Sequence, residues 1–106
     1  MQAGEVVGYA YATKWNRRSA YRFSAEVTVY LDHGRRGRGI GSKLYQQLLP
    51  TLQLSGIHVA IGGIALPNNA SVALHEKLGF QKVAQFREVG FKFNKWIDVG
   101  YWEKVL

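Results

Sequence analysis

The stretch AEVTVYLDHGRRGRGIGSKLYQQLL, residues 25–49, decides how this chain folds. It opens as a strand over residues 25–31. Val27, Val29 and Leu31 point one way and Glu26, Thr28 and Tyr30 the other, because side chains alternate along an extended chain. It closes as a helix over about Gly41 to Gln53, with Ile40, Leu44, Leu48, Leu49 and Leu52 recurring at three- and four-residue steps. Pro50 interrupts that pattern and predicts a kink or an early end, since proline removes a backbone donor and crowds the preceding turn. Between strand and helix stand Gly37, Gly39 and Gly41, set among Arg35, Arg36 and Arg38. Neither residue type builds a core. Amides at a helix start are unpaired and lie at the positive end of the helix dipole. Glycines remove the β-carbons that would hold a ligand off that backbone, and guanidinium groups add charge-assisted hydrogen bonds. The arrangement suits a phosphate.

Working outward, VVGYAYATKW predicts a strand over Val6 to Lys14. NRRSAYRFS, residues 16–24, is polar and irregular, with Tyr21 and Phe23 embedded in it, and such loops often line sites. IHVAIGGIAL, residues 57–66, reads as a buried strand. The pair Gly62-Gly63 in its middle points to a close approach by a backbone or a ligand. Pro67-Asn68-Asn69 breaks the chain before a short helix over about Ser71 to Leu78, with Gly79 closing it. Residues 80–89 form a further strand, 91–95 a turn or loop, and 96–105 a closing strand. The order is β-β-α-β-α-β-β. The fold class is α/β (α+β): one domain over residues 1–106, a mixed, mostly antiparallel sheet of about five strands with two helices packed on it.

The totals are those of an ordinary soluble domain. Of 106 residues, 47% are hydrophobic and 20% charged. No apolar run approaches the roughly 18 residues a bilayer requires, and residues 1–8 lack the pattern of a secretory signal. With no cysteine, disulfides and thiolate metal sites are excluded, and a reducing cytoplasm is permitted. His33, His58 and His75 are scattered without a carboxylate cluster, so no metal site is expected. The formal charge of +7 admits three readings: a solvated basic surface, a nucleic-acid face, or a pocket for a phosphorylated cofactor.

The motif narrows the phosphate ligand. The Walker A string is absent. The dinucleotide pattern G-x-G-x-x-G fails, because Ser42 stands where its third glycine belongs. What fits is R-x-x-G-x-G on Arg36, Gly39 and Gly41. Following a strand, this resembles the pyrophosphate loop of the GNAT superfamily of acyl-CoA-dependent N-acetyltransferases. More narrowly, AEVTVYL, GRGIGSKLYQQLL, LPNNASVALHEKLGF and GFKFNKWIDVGYW, in that order, resemble the phosphinothricin and methionine sulfoximine acetyltransferases.

The resemblance implies acetyl-CoA as cofactor and transfer of its acetyl group to the primary amine of a small, amino-acid-like acceptor. It implies that Val29, Tyr30 and Leu31 present backbone to the pantetheine arm, and that Arg36, Gly37, Arg38, Gly39, Ile40, Gly41 and Ser42 wrap the pyrophosphate. Asn68 matches an asparagine that contacts the arm. With the fold so implied, the Gly62-Gly63 strand splays from its neighbour and the arm enters the gap. The absence of cysteine favours direct attack by the amine over an acyl-enzyme. Glu26 is the candidate base, read otherwise as an ion pair with Arg22 or Arg87. His75, at a position held by tyrosine or histidine in such proteins, is the candidate proton donor, read otherwise as a half-buried histidine without chemistry. Tyr21, Lys92 and Trp96, with Asp98, match positions near the acceptor pocket, although a tryptophan such as Trp96 is more often core than contact.

Relatives of this kind begin well before Met1, so the chain corresponds to the family's fold without its first third. The Val6 strand is then a bare edge, which predicts a homodimer or swapped assembly. The expected setting is cytoplasmic, with no nucleic-acid or membrane partner. Two other readings stay open: a coenzyme-A-binding remnant without catalysis, and a basic nucleic-acid-binding module.

Overall fold

The computed structural model describes residues 8–31 and 39–106. The expected start of the first strand at Val6 and the loop residues Arg36, Gly37 and Arg38 lie outside them. The elements are β1 (Gly8–Lys14), β2 (Ser24–Leu31), α1 (Ile40–Leu54), β3 (Val59–Leu66), α2 (Asn69–Lys77), β4 (Gln81–Lys92) and β5 (Lys95–Val105), with a single 3₁₀ turn at Ser19–Tyr21. The order matches the sequence reading. The strands form one sheet, β1-β2-β3-β5-β4, antiparallel except where β2 meets β3.

Both helices pack on one face of that sheet. Val27, Ala60, Ile64 and Trp102 come from the strands and meet Tyr45 and Leu49 of α1 and Phe80 after α2. Tyr45 is fully buried at the centre of this core, although the leucine stripe alone did not single it out. The other face carries Tyr9, Tyr11, Tyr30 and Phe86, each about half exposed. Tyr9 stacks on Tyr11 and meets its cross-strand partner Tyr30 with ring centroids 5.3 Å apart.

Two expectations are corrected. Pro50 does not end α1, which runs four residues further to Leu54. Proline there forfeits one ladder bond, while Leu49 and Leu52 on either side stay packed on the core and hold the helix to its course. The turn or loop expected over 91–95 is a turn, narrower than expected and confined to residues 93 and 94. Phe93 and Asn94 adopt φ of 50° and 60°, the left-handed pair that matches strand twist in a tight hairpin, so β4 runs on to Lys92 and β5 starts at Lys95.

What positions the site is the parallel pair. β2 and β3 are in register only over Ser24↔Val59, Ala25↔Ala60 and Glu26↔Ile61. Beyond that point β2 continues to Leu31 on β1 and β3 to Leu66 on β5 without pairing to each other, so the sheet opens at Glu26. No helix of the described residues is long and apolar enough to cross a membrane.

Candidate active site

The opening between β2 and β3 leads to a cavity of about 400 Å³. One wall is the end of β2, Val29 to Leu31. A second is the start of α1, Gly39 to Ser42. The third is α2, with Asn68, Ala70, Ala73, Leu74 and Lys77. The eight expected cofactor residues that fall among the described ones therefore share one cavity. Sequence reasoning missed the α2 contribution beyond Asn68. The signal was available: positions 70, 73, 74 and 77 repeat at helical spacing, with the small residue alanine at 70 and 73.

The start of α1 has the chemistry of a helix N-terminus, donors without helical partners. Gly39 adopts the left-handed conformation, φ 73°, and no side chain caps the helix. Lys43 is the first residue whose amide reaches back to Gly39, which leaves the amides of Ile40, Gly41 and Ser42 without intrahelical acceptors. A β-carbon at Gly39 would meet nothing within 4 Å and would stand in open space, where it obstructs an approaching ligand and strains the backbone. At Gly41 a β-carbon would fall 2.9 Å from Leu74 Cδ2, so that glycine lets α1 close onto α2. Bare amides, a narrow groove continuing along β2 and the nearby Lys77 form a donor set that fits a long phosphorylated thioester carrier.

Asn68 caps α2: its Oδ1 accepts from the Ser71 amide at 3.1 Å. Its carboxamide NH₂ remains available to the cavity that Asn68 lines. Glu26 stands at the last position of β2 that pairs with β3, at the apex of the opening. Arg22 donates to the Ser19 carbonyl at 2.8 Å and lies 4.4 Å over the Phe23 ring.

The glycine pair of β3 has a more local cause than the one expected. A β-carbon at Gly62 would lie 2.9 Å from His75 Nε2, on the helix face. At Gly63 it would lie 3.1 Å from Tyr101 Cε1 and 3.5 Å from Glu26 Oε2, on the open face. Each glycine makes room for a side chain from a neighbouring element.

His75 lies deeper than a proton donor to the cavity should. It is 3% exposed and is absent from the cavity wall. Nδ1 is 2.7 Å from the Ser71 carbonyl, which can only accept, so Nδ1 carries the proton. Nε2 then accepts from the Tyr45 hydroxyl at 2.9 Å. Burial pushes the imidazole's pKa down, the Ser71 carbonyl partly opposing, and burial raises that of Tyr45. A neutral ring with both nitrogens engaged braces α1, α2 and β3 against one another.

Of the acceptor residues expected from sequence, Tyr21 belongs to the 3₁₀ turn before β2, and Lys92 and Trp96 belong to the β4–β5 hairpin. Tyr21 packs edge-on to Trp15 before β2. Lys92 and Trp96 lie at the tip of the β4–β5 hairpin. Trp96 is exposed and packs on Phe91, not in the core. From Tyr101, the β5 residue opposite Gly63, Trp96 is five residues away, roughly 16 Å along a strand. Asp98 is taken up structurally. Its carboxylate accepts from the Glu88 amide at 3.0 Å and Gln85 Nε2 at 2.9 Å, holding the bulge of β4, and these bonds lower its pKa.

A mixed sheet that parts beside a glycine-led helix start is the architecture of an acyltransferase that threads its cofactor between strands. Residues 1–100 match the family described as the acetyltransferase (GNAT) domain, and the chain belongs to that family. Among curated relatives, it is 44% identical over 105 residues to a phosphinothricin N-acetyltransferase of Streptomyces coelicolor, which covers 99% of this chain and 61% of the relative. It is 38% identical to an L-methionine sulfoximine/L-methionine sulfone acetyltransferase of Pseudomonas aeruginosa, over 93% of this chain and 58% of the relative. A Salmonella typhimurium acetyltransferase solved with its cofactor acetyl-CoA superposes with a TM-score of 0.96 at 36% identity, covering 100% of this chain and 61% of that one. The chain thus spans about 60% of the length of the relatives it matches.

Proposed function

We propose that this chain is an acetyl-CoA-dependent N-acetyltransferase acting on the primary amine of a small amino-acid-like acceptor. One observation carries the reading: the sheet parts at Glu26, beside a cavity headed by the bare amides of α1. The likeness to acetyltransferases of phosphinothricin and methionine sulfoximine supports the acceptor class.

Gly39 to Ser42 would hold the diphosphate, with Arg36 to Arg38 supplying charge. The backbone of Val29 to Leu31 and the Asn68 carboxamide would hold the pantetheine arm. When bound, the cofactor supplies an activated acetyl thioester. Glu26 takes a proton from the acceptor amine, directly or through one water. An α-amine with a pKa of about 7.7–8.0 asks little of such a base near neutrality. Unpaired amides of β2 beyond Glu26 face the opening and are suited to stabilising negative charge on a carbonyl oxygen. His75 serves this site by orientation: its neutral ring fixes Gly62 and the start of α2, and the proton-donor role passes to solvent at the open face.

β1 completes the functional unit in a second way. Among the described residues it is an edge strand of seven residues in continuous register with β2, whereas the other edge, β4, is interrupted by two register shifts that discourage pairing. The edge of β1 supports a homodimer. The absence of cysteine is compatible with a reducing cytoplasm.

The test combines thermal shift with thiol release, using acetyl-CoA and methionine sulfone. Acetyl-CoA at about 100 times its Kd should stabilise the chain by about 2.7 kcal/mol. Gly39→Val should abolish that stabilisation. Glu26→Gln should keep it and lower turnover by about 100-fold or more. Stabilisation without turnover in the unaltered chain leaves a binding protein and removes the enzyme reading; equal loss of cofactor binding in both variants undoes the assignment of roles.

A further inference from the structure

We infer that the Lys77 ammonium holds the 3′-phosphate of coenzyme A, so that the site selects the complete coenzyme over the same carrier lacking that phosphate. The inference rests on the reading of the cavity as an acetyl-CoA site, and deepens it.

The placement of Lys77 carries it. Ala70, Ala73, Leu74 and Lys77 form one stripe of α2 along the cavity, spaced as neighbours on a helix face are. At 1.5 Å of rise per residue, that stripe runs about 10 Å along the helix axis. Asn68 stands at its head, capping α2. Leu74 marks where α1 closes in, since its Cδ2 lies 2.9 Å from where a Gly41 β-carbon would stand. Lys77 comes one turn later, on the side of Leu74 away from Asn68. A long ligand with its arm at Asn68 and its diphosphate at the α1 amides therefore meets Lys77 with the part beyond the diphosphate. In coenzyme A that part is a ribose bearing a 3′-phosphate.

Among the described residues, Lys77 is the only charged side chain that lines the cavity. Its neighbours on α2 give it no other task. One turn back stand Ala73 and Leu74, so the helix offers no acid at the spacing of an ion pair. Glu76, next to it in sequence, turns to the sheet, where its Oε2 accepts from Trp102 Nε1 at 3.1 Å. The negative end of the α2 dipole attracts a cation. Lys104 supplies that one, its Nζ donating to the Leu78 carbonyl at 2.6 Å. A lysine is a compact charge on a flexible stem, which suits a phosphate held at an open rim of the cavity.

The experiment compares the affinities of coenzyme A and 3′-dephospho-coenzyme A by titration calorimetry at fixed salt. The unaltered chain should prefer coenzyme A by about five- to tenfold, the range between an exposed ion pair and a charged hydrogen bond. Lys77→Met should weaken coenzyme A alone and bring the two affinities within about twofold of each other. Lys77→Arg should keep the preference. Raising the salt from about 0.05 M to about 0.5 M should shrink the preference in the unaltered chain and leave the Lys77→Met ratio where it was. Lys77 is exposed, and the Tm of each unliganded chain reports its folding. If Lys77→Met lowers that Tm, Lys77→Gln removes the charge with a polar side chain and reads the same ratio. A preference that survives the loss of the charge puts the 3′-phosphate on other cations and overturns the inference. Equal weakening of both ligands puts Lys77 at the diphosphate and overturns it too, as does equal affinity for both in the unaltered chain. Each of these results leaves the acetyl-CoA reading intact. Binding of neither ligand to the unaltered chain overturns both.

Discussion

His75 shows how one residue's environment can reverse the role its position suggests. In the sequence it sits where a proton donor belongs. In the fold it is buried, with Nδ1–H given to Ser71 and Nε2 accepting from Tyr45. Burial favours the neutral ring, so its folded pKa lies below the ordinary value. The sign follows from linkage. Above about pH 6.5 the ring is neutral both folded and unfolded, and stability is independent of its titration. As pH falls below that value the unfolded chain takes up a proton that the folded chain resists. The stabilisation is then lost progressively down to the folded pKa. Urea midpoints should therefore fall between pH 7.5 and pH 5, and His75→Phe should flatten that part of the profile. A pH-independent midpoint in the unaltered chain would show that the ring is not held neutral. Gly62 belongs to the same unit, because only the absent β-carbon admits the imidazole against β3.

At the scale of elements, the β4–β5 hairpin carries a local conflict. Its turn needs two left-handed residues, and the chain supplies Phe93 and Asn94. Asparagine tolerates that region, but phenylalanine does not, at roughly 1–2 kcal/mol. Phe93 is also 91% exposed and gains nothing from packing. Phe93→Asn should raise stability by about 1 kcal/mol, read as an upward shift in Tm. This conflict explains why residues 91–95 read as a loop: the usual turn signals were absent, and the pairing of twelve- and eleven-residue strands imposed the turn instead. α1 teaches the converse. Pro50 is a strong local signal for an end, yet the helix continues because the apolar stripe either side of it is packed. Where the local signals and the packing agreed, as at the Asn68 cap and Gly79 (φ 93°), the boundaries were legible to within two residues.

For the whole molecule, the consequence is an open sheet. Among the described residues, one face is covered by α1 and α2, the other presents Tyr9, Tyr11, Tyr30 and Phe86, and β1 lies at one edge. Pairing of two β1 edges is expected to give twice the mass of one chain by light scattering. A mass equal to one chain at micromolar concentration would remove the homodimer. The net charge of +7 should make cofactor capture faster at low salt, since the anion site lies in a positive field.

Residues 25–49 by themselves determined the strand and the glycine-led helix start and pointed to phosphate chemistry, because alternation, helical spacing and the bareness of glycine are properties of neighbouring residues. The α-β order and the apolar face of each element followed from the same short-range periodicities. Only the tertiary structure decided which side chains meet across elements: Tyr45 with His75, Tyr101 with Glu26 over Gly63, and Trp96 stranded at the hairpin tip. Those meetings depend on strand register and on where β2 and β3 part, and register is set by the packing of the whole sheet, not by residues adjacent in the chain.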